Sequence, residues 1–233
     1  MENEQVLLRE LLFSESVKVS EIRKKIGKDA DKSLDDLAKR GLVEIKGNVC
    51  RLTTEGMRHI SYVQGDTVTQ VSQPLMCVFP IVHKAGKILL HRRKKQPFYD
   101  YVGFPGGKLE LGEAISDRLE KELKEETGLT AKKYRLAAMN SIRTLDDSNG
   151  RLSAHHVLFF FEVSDFSGKL IEKMEEGENF WCELSKVDGI TPIFPDILPI
   201  IDAVKKGKPS FFEMMRFRKA GHSESKVLED YLA

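Results

Sequence analysis

Three glutamates with the spacing of a metal site lie in the segment KELKEETG, which has the composition of a helix. They are Glu122, Glu125 and Glu126. An apolar stripe runs along the same helix and is made of Ile115, Leu119 and Leu123. At about 100° per residue, Glu122 and Glu126 fall beside or inside that stripe, and Glu125 lies just off its edge. The sequence therefore predicts three carboxylates that converge on the inward side of one helix.

Carboxylates brought together in this way need a partner. Burying like charges costs several kcal/mol per ion unless a cation neutralises them, and hard carboxylate oxygens select Mg²⁺ or Mn²⁺. An ordinary solvated helix with Glu and Lys four residues apart is the alternative. That alternative does not explain why the acids share the apolar side, nor why Gly106, Gly107 and Gly128 bracket the helix.

The surrounding pattern predicts the elements that must position these side chains. We expect a helix over residues 113–127, strands over 75–82, 88–91, 134–142 and 154–163, and a last helix over 195–205. Strands interleaved with few helices indicate a layered α/β domain.

The first part of the chain has a different texture. Within residues 4–58 the apolar positions first form three short helical groups. A hairpin over 42–45 and 49–52 follows, with its turn at Lys46-Gly47-Asn48, and RLTTEG then caps another helix. This order resembles the winged helix-turn-helix family over roughly the first 62 residues. In that family the third helix reads DNA and is usually basic. Here the corresponding segment balances four basic side chains against four acids: Lys28, Lys32, Lys39 and Arg40 against Asp29, Asp31, Asp35 and Asp36. DNA binding and a dimerisation or packing role both stay open.

The segment around the glutamates resembles the Nudix box. That pattern runs glycine, five residues, glutamate, seven residues, arginine-glutamate, an aliphatic residue, any residue, two glutamates, any residue, glycine and an aliphatic residue. The matching positions are Gly107, Glu113, Lys121, Glu122, Leu123, Glu125, Glu126, Gly128 and Leu129. Every spacing is met, and one identity differs, because lysine stands at 121 where the family has arginine. The resemblance extends over residues 70–207.

This resemblance implies a Nudix α/β/α sandwich with a mixed sheet over residues 66–207, preceded by the small winged-helix-like α+β domain over 1–65. It also implies a hydrolase that cleaves the diphosphate bond of a nucleoside triphosphate, ADP-ribose or a nucleotide sugar. The metal, Mg²⁺ or Mn²⁺, would be held by Glu122, Glu125, Glu126 and the carbonyl of Gly106.

The same resemblance implies roles for further side chains. The general base is either Glu122 or a loop carboxylate, Glu178, with Glu175 and Glu176 as alternates. Lysine orients carboxylates less rigidly than arginine, so Lys121 bears on catalysis. Our hypothesis is that Arg118, one turn before Glu122, supplies part of the missing contact.

Substrate contacts are expected from Arg92, Phe104 and Lys108. Arg92 opens a basic run after a strand, and basic runs are more often solvated loops. Phe104 is an aromatic ring near a sheet, and such rings are more often core. Adjacent His155 and His156 on a strand must point to opposite faces, so they cannot both face one metal. We interpret both as structural, and a substrate contact by one of them is the alternative.

Composition limits the remaining possibilities. The 233 residues are 41% hydrophobic, and 37 basic residues nearly cancel 36 acidic ones, so the charge of the whole molecule demands neither nucleic acid nor membrane. Cys50, Cys77 and Cys182 are widely spaced, which favours a reducing cytoplasm over a disulfide scaffold.

Residues 208–233 form an apolar-basic extension that docks on the sheet or on a partner subunit, and a homodimer stays open. The competing functions are a ligand-sensing transcription regulator and an assembly module.

Overall fold

The computed structural model describes residues 2–64, 69–70, 72–146, 148–219 and 222–230. The chain divides into two compact units, Met1–Gln73 and Pro74–Ala233. The predicted boundary between residues 65 and 66 lies outside the described residues. Every helix within the described ranges is too short or too polar to traverse a bilayer.

The first unit is made of short helices around a small sheet. Its elements are α1 (Glu2–Leu12), β1 (Val17–Lys18), α2 (Val19–Ile26), α3 (Ala30–Lys39), β2 (Val43–Lys46), β3 (Val49–Leu52), α4 (Thr54–Ile60), β4 (Val63–Gln64) and β5 (Thr69–Gln70). The predicted hairpin is confirmed as β2 and β3, which pair with β1 in the order β1-β3-β2. Thr53 caps α4 by accepting a hydrogen bond from the Gly56 amide at 3.0 Å. Leu7, Ile22 and Leu37 are fully buried in this unit's core.

The second unit is built on one large mixed sheet. Its elements are β6 (Leu75–Lys84), β7 (Lys87–Arg93), β8 (Val102–Gly103), β9 (Gly107–Lys108), α5 (Ile115–Thr127), β10 (Leu129–Asp146), β11 (Leu152–Gly168), β12 (Lys173–Met174), β13 (Gly177–Glu183), α6 (Ile197–Lys206), β14 (Ser210–Lys219) and β15 (His222–Asp230). The strand order is β12-β13-β7-β6-β11-β10-β14-β15, with β8 on β7 and β9 on β6. β6–β11 and β10–β14 are parallel.

Two helices cover opposite faces of this sheet. Ile81 of β6 belongs to the core beneath α6, and the next residue, Val82, belongs to the core beneath α5. Successive strand residues point to opposite faces, so the two helices lie on either side. We call these the α5 face and the α6 face. The predicted α/β/α sandwich is confirmed.

The segment after α6 is part of the sheet. β14 pairs in parallel with β10, with Ala138 opposite Ser210. Arg216 of β14 lies 3.4 Å from Asp196, and its guanidinium carbon is 5.4 Å from the ring centre of Phe98 and 5.3 Å from that of Phe194. Of the two docking places expected for this segment, the structure shows the chain's own sheet.

Candidate active site

Helix α5 carries the three glutamates, and a glycine caps its C-terminal end. It begins at Ile115, two residues later than predicted, because Ala114 has an extended backbone. It ends at Gly128, whose φ of 74° is left-handed and whose amide bonds the Lys124 carbonyl at 2.9 Å. A Cβ on Gly128 would meet the Lys169 carbonyl oxygen at 2.6 Å. Both constraints favour glycine at this position.

Glu122 is the buried carboxylate of the site. Its residue is 4% exposed, and its Oε1 forms an ion pair with Nη2 of Arg118. The pKa of Glu122 is raised to about 7, chiefly by burial and then by the nearby charges of Glu126 and Glu125, while Arg118 opposes the rise. This side chain rests directly on the loop, since a Cβ on Gly107 would lie 2.3 Å from Oε1.

The other two glutamates are progressively more exposed. Glu126 is half-buried, and its Oε2 accepts a hydrogen bond from the Gly106 amide at 2.7 Å. Glu125 is exposed. The prediction that all three point inward is therefore wrong for Glu125, because the helical rotation that places Glu122 and Glu126 on the sheet side carries Glu125 toward solvent.

Arg118 is the cation of this cluster. Its side chain is 13% exposed, and Nη1 lies 3.9 Å from an oxygen of Glu110 and 3.9 Å from one of Glu113. The structure shows the contact between Arg118 and Glu122, and it stays a prediction that this contact makes up for the lysine at 121. Lys121 is exposed, and in the described part of the chain it forms no ion pair.

A buried polar network that the sequence did not reveal holds the end of α5. His91 Nδ1 is 2.9 Å from Asn179 Oδ1, and the Asn179 amide donates to the carbonyl oxygens of Glu126 and Ile171 at 2.6 and 2.8 Å. His91 and Asn179 are both buried. The network ties β7 and β13 to the last turn of the helix and so fixes the backbone of Glu126.

The structure places Arg92 and Glu178 away from the α5 glutamates. The two residues pair across β7 and β13. Phe180, two residues beyond Glu178, packs on the α6 face, whereas Asn179 reaches α5. By alternation Arg92 and Glu178 belong to the α6 face. Arg92 donates to the Asp100 carbonyl at 3.0 Å.

The neighbour of Arg92 faces the site instead. Arg93 is half-buried, and burial lowers the pKa of its guanidinium while the charge of Glu126 opposes that shift. Its Nη2 donates to the Pro97 carbonyl at 3.1 Å. Its Nε is buried with no hydrogen-bond partner in the described ranges. The sequence prediction named Arg92, and the structure places Arg92 on the α6 face and Arg93 on the α5 face, near Glu126.

Lys108 and Phe104 also lie on the α6 face. Lys108 pairs with Cys77, whose side chain packs on that face, and Phe104 is 6% exposed in the same core. The Phe104 ring packs edge-on against Phe160 with centroids 6.0 Å apart. Burial lowers the pKa of His156, and the charges of Arg216 and Lys108 lower it further. These basic side chains therefore lie near His156 on the α6 face.

The donor set fits a hard divalent cation. Three glutamates share one end of α5, Arg118 contacts Glu122, and Arg93 lies near Glu126, so negative charge is in excess. Glu122 and Glu126 are engaged by Arg118 and by the Gly106 amide, and within the described ranges no three acid, histidine or cysteine side chains form a ready metal cage. The oxygen-only donors of these glutamates match Mg²⁺ or Mn²⁺.

Comparison with known families and proteins identifies the second unit. The model of the NUDIX domain matches residues 72–204, more than half of the chain. An ADP-ribose pyrophosphatase of Methanocaldococcus jannaschii is 34% identical over 107 residues, which cover 46% of this chain and 62% of that protein. A CTP pyrophosphohydrolase of Escherichia coli is 31% identical over 129 residues, covering 54% of this chain and 87% of that protein. An uncharacterized Nudix hydrolase of Bacillus subtilis, YvcI, is 27% identical, and the match spans 64% of its length.

Solved structures agree on the fold. A MutT protein of Bacillus halodurans superposes with a TM-score of 0.55 at 23% identity, covering 68% of this chain and 97% of that one. The NUDIX domain of Shewanella oneidensis NrtR, determined with ADP ribose, gives a TM-score of 0.51 at 17% identity, covering 66% of this chain and 99% of that one.

Proposed function

The chain belongs to the NUDIX domain family, and from this premise we propose that its second unit is a Mg²⁺-dependent hydrolase that cleaves the diphosphate bond of a nucleoside diphosphate derivative. One observation carries the proposal. Glu122 is buried beside Glu125 and Glu126 with a single arginine in contact, and the pKa of its carboxyl is raised to about 7. Such an excess of negative charge is what a bound divalent cation offsets.

The proposed metal ligands are Glu122, Glu125 and Glu126, with the Gly106 carbonyl as a further ligand. A bound Mg²⁺ supplies electrostatic stabilisation of the diphosphate oxygens and lowers the pKa of water. The protein positions the ligands: the Gly106 amide holds Glu126, and Asn179 holds the backbone of the same residue. Gly107 leaves room for Glu122 against the loop.

We assign the general base to Glu122 in preference to Glu178. Glu122 lies on the α5 face together with Glu126 and Arg93. Glu178 lies on the α6 face and would have to act from the other side of the sheet. Glu176 already pairs with Lys95. Glu175, the other alternate, is exposed.

The substrate class is a nucleoside diphosphate joined to a further group, which includes nucleoside triphosphates, ADP-ribose and nucleotide sugars. The names of two relatives, an ADP-ribose pyrophosphatase and a CTP pyrophosphohydrolase, support this range. Arg93 is the arginine whose position beside Glu126 suits a phosphate. Lys108 and Arg92 would contact parts of the substrate that extend to the α6 face.

The test is a hydrolysis screen with Mg²⁺ over nucleoside triphosphates, nucleotide sugars, dinucleotides and ADP-ribose, run on the native chain and on Glu125→Gln. A matched control is Glu120→Gln, which makes the same change on an exposed glutamate of the same helix. We expect the native chain and the control to have the same turnover. Glu125→Gln should reduce turnover by more than about 10–100-fold, the range typical of residues that only orient metal ligands. Equal activity in Glu125→Gln would overturn the assignment.

A second candidate function is DNA binding by the first unit, combined with ligand sensing by the second. Its three helices followed by the β2–β3 hairpin support the likeness to a winged helix. The exposed face of α3 argues against it, because Asp31 and Asp35 accompany Lys32 and Lys39 there and would repel phosphates. Fluorescence anisotropy with duplex DNA decides the matter: saturable binding that weakens with added salt supports regulation, and no binding at low salt removes it.

A further inference from the structure

We propose that Arg118 is the positioning residue for Glu122, and that it does from one helical turn earlier what the Nudix pattern assigns to an arginine at position 121. This inference rests on the proposed function. It concerns a position that the box pattern leaves free, and it explains how the chain keeps an ordered site with lysine at 121.

The first argument is the reach of the guanidinium. Nη2 contacts Glu122, four residues along the helix, a spacing that puts both side chains on the same face. Nη1 lies 3.9 Å from each of Glu110 and Glu113, which precede the helix. Arg118 therefore links the loop in the first part of the box to the helix that carries the three glutamates.

The second argument is the position of Lys121. Lys121 is exposed, and in the described residues it has no acidic partner. A lysine also lacks the planar fork of donors that fixes the orientation of a carboxylate.

The third argument is confinement. A Cβ on Gly107 would meet Oε1 of Glu122 at 2.3 Å and Nη2 of Arg118 at 2.9 Å. The ends of both side chains thus pack against the backbone of Gly107, which limits where they can lie. Arg118 is only 13% exposed, so solvent screens the contact weakly.

The experiment compares Arg118→Ala, Arg118→Lys and the double variant Arg118→Ala/Lys121→Arg with the native full chain. Lys124→Ala is the control, since it removes a positive charge from an exposed position of the same helix. Two quantities are measured: kcat and KM for a substrate found in the screen, and Mn²⁺ affinity by electron paramagnetic resonance without nucleotide.

We expect Arg118→Ala to weaken Mn²⁺ binding and to lower kcat by about 10–100-fold, the range for partners that orient metal ligands, with a smaller change in KM. The kcat and Mn²⁺ affinity of Arg118→Lys should lie between those of Arg118→Ala and those of the native chain. An arginine at 121 should recover at least part of the loss, which a merely structural role of Arg118 would not allow. Lys124→Ala should match the native chain in both measurements.

Three results would overturn the proposal: Arg118→Ala equal to Lys124→Ala in Mn²⁺ affinity and kcat, no recovery in the double variant, or a native chain that binds no Mn²⁺. If Arg118→Ala fails to fold, Arg118→Lys decides by the same two measurements, and native values there also overturn it. A native chain that hydrolyses nothing, while Arg118→Ala still loses Mn²⁺ affinity, would refute the proposed function and leave the positioning role standing.

Discussion

Glu122 and Asp196 are both fully buried acids of the second unit, each lies beside an arginine, and they differ in the charge around them. Glu122 shares Arg118 with Glu110 and Glu113 and lies near Glu125 and Glu126. Among the charges that shift the pKa of Asp196 there is only that of Arg216, whose guanidinium carbon lies 5.4 Å from the ring centre of Phe98 and 5.3 Å from that of Phe194. Burial raises the pKa of both carboxyls, and the neighbouring arginine opposes the rise in each case.

The comparison shows that burial of an acid does not by itself mark a functional site. One acid against one arginine is balanced, and such a pair serves structure. The acids around Glu122 outnumber the two arginines near them, Arg118 and Arg93, and this excess is tolerable when a cation binds. Charge balance, together with burial, separates the two regions.

The largest effect should come from breaking the balanced pair. Arg216→Met leaves Asp196 buried and unpaired, which should lower the free energy of unfolding by about 3–5 kcal/mol. Urea denaturation measures this difference. The double variant Asp196→Leu/Arg216→Met, which has no buried charge, should regain most of the loss. A single variant as stable as the native chain would contradict the reading of this pair as structural.

The excess of acids around Glu122 should make the stability of the metal-free protein depend on pH. The folded chain raises the pKa of Glu122 from 4.5 to about 7, so the native state binds the proton more tightly than the unfolded state does. Stability is therefore lost as pH rises from about 4.5 to about 7, by on the order of 3 kcal/mol. Urea denaturation in a chelator should show a steeper loss in the native chain than in Glu122→Gln, and Mg²⁺ should offset it at pH 8. Equal slopes in the two proteins would refute this assignment.

The smallest effect concerns the backbone against which Glu122 rests. Gly107→Ala would force Glu122 or the loop to move, because the new methyl group would lie 2.3 Å from the carboxylate. Overpacking of this kind costs about 1–3 kcal/mol, and we expect kcat to fall as well. Gly189→Ala is the control, since its Cβ meets open space. Equal denaturation midpoints and equal turnover in the two variants would show that Glu122 does not depend on its contact with Gly107.

Local patterns predicted the box, and tertiary contacts limited that prediction. The spacing from Gly107 to Leu129 and the stripe on α5 could be read from sequence because both follow the period of one helix. The link from Arg118 to Glu122 is also a local spacing. Burial of Glu122 and exposure of Glu125 could not be separated beforehand, since they depend on how the helix is rotated on the sheet.

Long-range contacts could not be predicted. His91 and Asn179 are 88 residues apart, and no local pattern joins them. Arg92 and Arg93 are neighbours in sequence, and a shift of one residue in a strand reverses the face. The parallel pairing of β14 with β10 also leaves no signal in the apolar-basic segment that contains it.

That parallel pairing has a consequence for the order of folding. β10 and β11 form a hairpin whose strands meet across a short connection, whereas Ala138 and Ser210 must close a loop of more than seventy residues. Loop closure of this length is slow relative to local pairing. We expect β14 to join late, so that a transient species with the β10 edge uncovered is the one most prone to self-association.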